Sequence, residues 1–127
     1  MKTKSFEELL AWQKAHAFVL KIYKITKNFP KEELFGLTSQ LKRAAISIPA
    51  NIAEGYKKNG VKDKIRFFNI AQGSLEECRY FLILARDIEF ISLTEFEDLK
   101  DSLNSASYMI NAYQNTIREN LNNDKKI

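Results

Sequence analysis

Along most of this chain apolar residues return at alternating steps of three and four. That spacing lines one face of an α-helix, whereas a half-buried strand repeats every second residue. The clearest stripe is the last: Phe96, Leu99, Leu103, Ala106, Ile110, Tyr113 and Ile117. Upstream, Phe67, Ile70, Ala71, Ser74, Leu75, Cys78, Phe81, Leu82 and Ala85 share a face opposed by Arg66, Asn69, Glu76 and Asp87. Boundary signals divide the pattern into four helices, at about residues 6–28, 38–58, 61–88 and 93–121. Ser5 with Glu8 reads as a capping box for the first, and Ser92 with Glu95, or Thr94 with Glu97, for the fourth. Pro30 and its polar followers end the first helix, and Asn59-Gly60 separates the second from the third. The tail, residues 122–127, is polar and is expected to fray. The pattern predicts a single all-α domain, an antiparallel up-and-down four-helix bundle over residues 1–127.

Two helices depart from a simple stripe. In the first, Trp12, Ala15, Val19, Ile22 and Tyr23 form one face, Phe6, Leu10, Ala17 and Leu20 lie opposite, and Phe18 and Ile25 flank them. A helix apolar nearly all round is buried from more than one direction. One direction is the bundle core, and the expected second is another copy of the chain, with Phe6, Leu10, Ala17 and Leu20 at the contact; the alternative is that these residues cover the loop at 28–38 or lie exposed. In the second helix Pro49 interrupts Leu41, Ala45, Ile48, Ile52 and Tyr56. An interior proline costs about 3 kcal/mol. Either the helix ends near Ser47 and restarts with Pro49 in its first turn, or it runs on kinked and held by neighbours.

Composition narrows the picture. Four glycines and two prolines are too few for a many-stranded β-fold. A single cysteine, Cys78, rules out an intrachain disulfide and suits a reducing compartment. The start, MKTKSFEELL, holds no apolar run with a cleavage site, and no apolar run approaches the ~20 residues of a membrane span. A soluble cytoplasmic protein with no membrane partner is expected. The net charge of +4 is mild but unevenly spread. Lys42, Arg43, Lys57, Lys58, Lys62, Lys64 and Arg66 face only Glu54 and Asp63 in their segment, while residues 87–101 carry six acids against Lys100.

No reaction centre emerges. His16 is the only histidine, no Glu-x-x-His pair occurs, and one His with one Cys cannot build a zinc site. Cys78 sits on a core stripe, and the glycines match no phosphate-binding loop. No catalytic residue, metal or cofactor is expected. The polar column Arg43, Ser47, Glu54 and Lys58, with Asn51 nearer the core, reads as a solvated face or a register-fixing network rather than a catalytic one.

The run Arg43-Ala44-Ala45-Ile46-Ser47-Ile48-Pro49-Ala50-Asn51-Ile52-Ala53-Glu54-Gly55 resembles the signature of the four-helix-bundle family that includes the 23S rRNA intervening-sequence proteins. Phe67 to Glu77, Phe6-Glu7-Glu8-Leu9 and Trp12-Gln13-Lys14-Ala15 fit the same family, and the likeness spans Phe6 to about Arg118. The resemblance marks Ser47, Pro49, Asn51, Glu54, Gly55 and Gly73 as structural signature positions. It implies a second helix continuous through Pro49 and ring-shaped homo-oligomers, commonly pentamers. Some members are encoded within rRNA-gene insertions. Related accessory variability determinants of diversity-generating retroelements bind nucleic acid and partner a reverse transcriptase. The resulting expectation is a non-enzymatic homo-oligomer, a pentamer on this likeness, that binds RNA or DNA through Arg43, Lys57, Lys58, Lys62, Lys64 and Arg66. The alternative is a protein-interaction scaffold, for example for a reverse transcriptase, without nucleic-acid contact.

Overall fold

The computed structural model describes residues 3–126, with the backbone alone from 121 onward. The helices are α1 (Leu10–Thr26), α2 (Leu37–Lys57), α3 (Val61–Asp87) and α4 (Leu93–Lys126), with 3-10 turns at Phe6–Glu8 and Lys31–Glu33 and no strand among the described residues. The helices form a square in which α1 and α3 each pack on α2 and α4. Cross-helix pairs show that neighbours run antiparallel. Arg43 of α2 meets Glu77 of α3, while Tyr56 and Gly55 meet Lys64. On α3 and α4, Asn69 bonds to Gln114 and Arg79 to Asn104.

One core fills the square. Phe18, Ile22, Leu41, Ile48, Ile52, Phe68, Leu75, Leu82, Leu103 and Ile110 are fully buried. Burying each such side chain contributes about 1.5–3 kcal/mol. Ser92 and Glu95 make the reciprocal capping box that starts α4: Ser92 N–H donates to Glu95 Oε1 at 2.8 Å and Glu95 N–H to Ser92 Oγ at 3.0 Å. A Schellman closure ends α3. Glu89 takes φ 65°, Phe90 N–H reaches the Ala85 carbonyl at 2.8 Å, and Glu89 N–H reaches that of Arg86 at 3.0 Å.

Several expectations need correction. The Ser5–Glu8 box does not open α1. Ser5 Oγ accepts from Glu7 N–H and caps the 3-10 turn, Leu9 is extended, and α1 begins at Leu10. Phe18, placed on a flank by the sequence, is fully buried, and Tyr23 is exposed. On α3 Phe68 enters the core, whereas Ile70 faces out. The α4 backbone stays helical to Lys126. Ile127 and the side chains of 121–126, where fraying is expected, lie outside the described residues.

α2 is one helix with Pro49 inside it. Pro49 has no N–H to give the Ala45 carbonyl, and neighbouring contacts hold the segment in place of that bond. Ile48, Pro49 and Ile52 are buried. Beside them Asn51 Nδ2 donates to the Ser47 carbonyl at 2.8 Å and to Ser47 Oγ at 2.9 Å, and Ser74 Oγ of α3 donates to Ser47 Oγ at 2.7 Å. These bonds tie α2 to α3 at a fixed register.

α2 lies close against α3 at Gly55. A Cβ there would lie 3.0 Å from Phe67 Cβ and 3.4 Å from the Lys64 carbonyl oxygen, both fixed close to the α3 backbone. Gly73, mid-helix on α3, is different: a Cβ there would meet nothing within 4 Å. No contact within the chain accounts for its missing side chain. Two alanine variants should therefore diverge in urea unfolding. Gly55→Ala is expected to lose about 1–2 kcal/mol because overpacking exceeds the helix-propensity gain. Gly73→Ala is expected to gain up to about 1 kcal/mol. Equal shifts in one direction would contradict the close packing at Gly55.

Candidate nucleic-acid interface

The chain turns from α2 into α3 over only three residues, Lys58, Asn59 and Gly60. Because Gly55 lets the two helices touch, the lysines that end α2 and begin α3 crowd around one end of the bundle. The last carbonyls of α2 have no partners within the helix. Lys64 supplies them, its Nζ donating to the Tyr56 carbonyl at 2.6 Å and the Gly55 carbonyl at 3.4 Å. Burial pushes its pKa below the ordinary 10.5. Lys64 is thus partly a structural cap. Lys58 Nζ lies 5.0 Å from the centre of the Phe67 ring and the Arg66 guanidinium 4.8 Å from it, so one aromatic side chain orders both cations. Lys57 and Lys62 are exposed.

The N-terminal segment completes this end. Tyr56 Oη and Thr3 Oγ1 are 2.7 Å apart, and Tyr56 Oη donates to the Thr3 carbonyl at 3.1 Å. That contact brings in Lys4, which lines an open cleft of about 870 Å³ with Tyr56, Lys57, Lys58, Lys64 and Tyr113. Sequence reasoning missed Lys4 and Tyr113. Only the pairing of Thr3 with Tyr56, 53 residues apart, carries the signal for Lys4. Tyr113 stands on the core stripe of the fourth helix, yet it is half-buried and reaches the cleft.

Arg43 lies apart from the other five basic candidates. It is 14 positions before Lys57 on α2, which is about 21 Å along the axis. Its Nη2 meets Glu77 Oε2 at 2.7 Å, and its Nε donates to Gln40 at 3.1 Å. The rest of the polar column divides: Ser47 and Asn51 make the α2–α3 network, and Glu54 is exposed.

The acids of residues 87–101 occupy the opposite end, around the α3–α4 connection. Asp98 pairs with Lys21 at 3.0 Å, Asp87 with Arg86 at 2.9 Å and Glu97 with Lys100 at 3.1 Å. The uneven charge of the sequence therefore separates into a basic α2–α3 turn and an acidic α3–α4 turn, the latter sharing its end of the bundle with Lys24, Lys27 and Lys31. A field of this kind orients an anionic partner toward the basic end.

The four residues expected at a subunit contact are separated in space. Leu10 and Leu20 are 57% and 58% exposed, and Ala17 between them is also exposed. Lys14 and Gln13 interleave with them. Phe6 instead packs edge-on against Trp12 at 5.1 Å and joins Trp12, Val19, Ile46 and Pro49 in an almost wholly apolar groove between α1 and α2. His16 stacks on Trp12 at 4.9 Å beside that groove.

Among the described residues no group of three or more His, Cys, Asp or Glu is placed to hold a metal ion, and no helix is long and apolar enough to cross a membrane. Cys78 is buried in the core, and burial first, then the neighbouring Glu77, pushes its thiol up to about 12. A thiol so far from ionising is a packing group rather than a nucleophile. Another polar feature absent from the sequence reading is a chain of amides between α3 and α4. Gln114, only 3% exposed, donates to Asn69 at 2.9 Å and accepts from Gln72 at 3.1 Å, and Gln72 also donates to Asn111 at 2.8 Å.

These features define an all-α four-helix-bundle protein with one basic end. The chain belongs to the 23S rRNA-intervening sequence protein family, whose model matches residues 7–112. It is similar in fold to a crystal structure from Bacteroides thetaiotaomicron, described as a protein with unknown function from the S23 ribosomal protein family. The TM-score is 0.77 at 24% identity, over 83% of this chain and 95% of that one. No curated protein matches the sequence.

Proposed function

We propose that this chain is a non-enzymatic, homo-oligomeric bundle that binds RNA or DNA through the basic end formed by Lys4, Lys57, Lys58, Lys62 and Arg66, with Lys64 as both cap and contact. One observation carries the reading. These cations gather at one end of the bundle, and none makes an ion pair among the described residues, whereas Arg43, Lys21, Arg86 and Lys100 do. Unpaired ammonium groups are available to displace the counterions of a phosphate backbone. Membership of a family named for an rRNA insertion is consistent with such a partner.

Self-association is part of the same proposal. The exposed Leu10, Ala17 and Leu20 and the apolar groove around Trp12 support it. The family likeness favours a ring of five. A ring repeats the basic end in each copy and raises avidity for a long polyanion. A docking role for another protein, such as a reverse transcriptase, without nucleic-acid contact is the second reading. What favours it is Phe35, 92% exposed beside the exposed Leu34 in the α1–α2 connection.

Binding of RNA and DNA measured across a salt series tests the first reading. The expected slope of log affinity against log salt is about −4, so that affinity falls by about a hundred-fold or more between roughly 50 and 200 mM salt. Replacing Lys57 and Lys62 together by Glu should shrink that slope by about 2 or more. Absence of salt-sensitive binding at low ionic strength would favour the docking role instead. For self-association, light scattering should give a mass several times the 14.7 kDa of one chain, lowered by Leu20→Glu without loss of helicity. A wild-type mass of 14.7 kDa at micromolar concentration would contradict it.

A further inference from the structure

The basic end is recessed as well as charged. Lys4, Lys57, Lys58 and Lys64 line one cleft together with Tyr56 and Tyr113. The cleft has a volume of about 870 Å³ and is open to solvent. Two parts of the lining are held in place before any ligand arrives. Lys64 is anchored on the α2 carbonyls, and the Tyr56 hydroxyl is engaged by Thr3. Tyr113 is held by its edge-on contact with Phe68 at 5.2 Å. Unlike that of Tyr56, its hydroxyl has no hydrogen-bond partner among the described residues. Burial first, then the nearby Tyr56, raises the Tyr113 pKa, so the hydroxyl stays protonated and remains a donor.

An internal phosphodiester carries one charge and must let the strand continue on both sides. Four lysines and a free phenol line one open cleft, a lining that suits a more concentrated anion. A phosphate monoester carries nearly two charges at neutral pH and three strongly accepting oxygens. The rings of Tyr56 and Tyr113 and the Leu9 side chain add apolar wall for the adjoining nucleoside.

We infer that this recess is an end-recognition site that takes the terminal phosphomonoester of a nucleic-acid strand, with Tyr113 Oη and the lysine ammoniums as donors. This rests on the nucleic-acid reading above and narrows it from a charged surface to a strand terminus. Lys62 and Arg66, outside the cleft, then contact the following phosphates.

Fluorescence anisotropy on the full chain tests the inference with short single-stranded RNA of one sequence. The strand carries a 5′-phosphate, a 3′-phosphate or hydroxyls at both ends. A hydroxyl-ended strand two nucleotides longer controls for total charge. At least one phosphorylated strand is expected to bind about ten-fold tighter than the charge-matched control, and the two arms show which end is read. Tyr113→Phe should cut that ratio to about three-fold, as should Lys57→Gln, with thermal melts by circular dichroism verifying the fold. Equal binding of phosphorylated and hydroxyl-ended strands would overturn end recognition while leaving general nucleic-acid binding in place. Absence of binding to every strand would remove both readings. A preference that survives both substitutions would place the site elsewhere and overturn the assignment of this cleft.

Discussion

The close approach of α2 to α3 is the constraint on which the rest of the molecule depends. It requires Gly55, where a methyl group would press on Phe67 and on the Lys64 carbonyl. It is fixed further along by Ser74 reaching Ser47, which Asn51 also holds. Pro49 sits between these two points in a helix that its missing N–H would otherwise weaken. Ser47, Asn51 and Gly55, three of the signature residues of α2, thus have one shared physical task. They let a helix with an interior proline lie close against its neighbour in a defined register.

The same contact generates the charged end. A three-residue turn joins helices that touch, so Lys57, Lys58, Lys62, Lys64 and Arg66 share a small volume at the end of the bundle. Mutual repulsion is eased locally: α2 carbonyls neutralise part of Lys64, and the Phe67 ring lies under Lys58 and Arg66. At the far end Asp98, Asp87 and Glu97 pair separately with Lys21, Arg86 and Lys100. Charge that is merely uneven along the chain becomes concentrated at one turn of the folded molecule. That step turns a net charge of only +4 into a local cluster of cations.

Much of the fold was legible because local signals and periodicity agreed. The Ser92–Glu95 box, the Asn59-Gly60 turn and the α4 stripe each point to the element that forms. The start of α1 was not legible in this way. The same box pattern at Ser5 and Glu8 serves a 3-10 turn, and the extended Leu9 that separates it from α1 leaves no sequence mark. The exchange of Ile70 for Phe68 in the core also escapes periodicity: the two lie about 200° apart around the helix, and apolar residues on both sides leave the choice of core face open. At the candidate site, the lysines around the turn were visible as a run of like charge. Lys4 and Tyr113 were not, because cross-chain contacts bring them there. Arg43 belongs to the run in sequence but pairs with Glu77 far from the turn.

The central claim is that one end of the bundle, created by the α2–α3 contact, is where nucleic acid binds. Amide chemical-shift mapping of the isotope-labelled chain during titration with a short single-stranded RNA tests it most directly. The perturbed amides are expected to cluster at residues 3–4, 56–66 and 113, while those of residues 87–101 stay unmoved. Perturbations centred on the α1–α2 groove or on the acidic end, or spread evenly over all four helices, would contradict it.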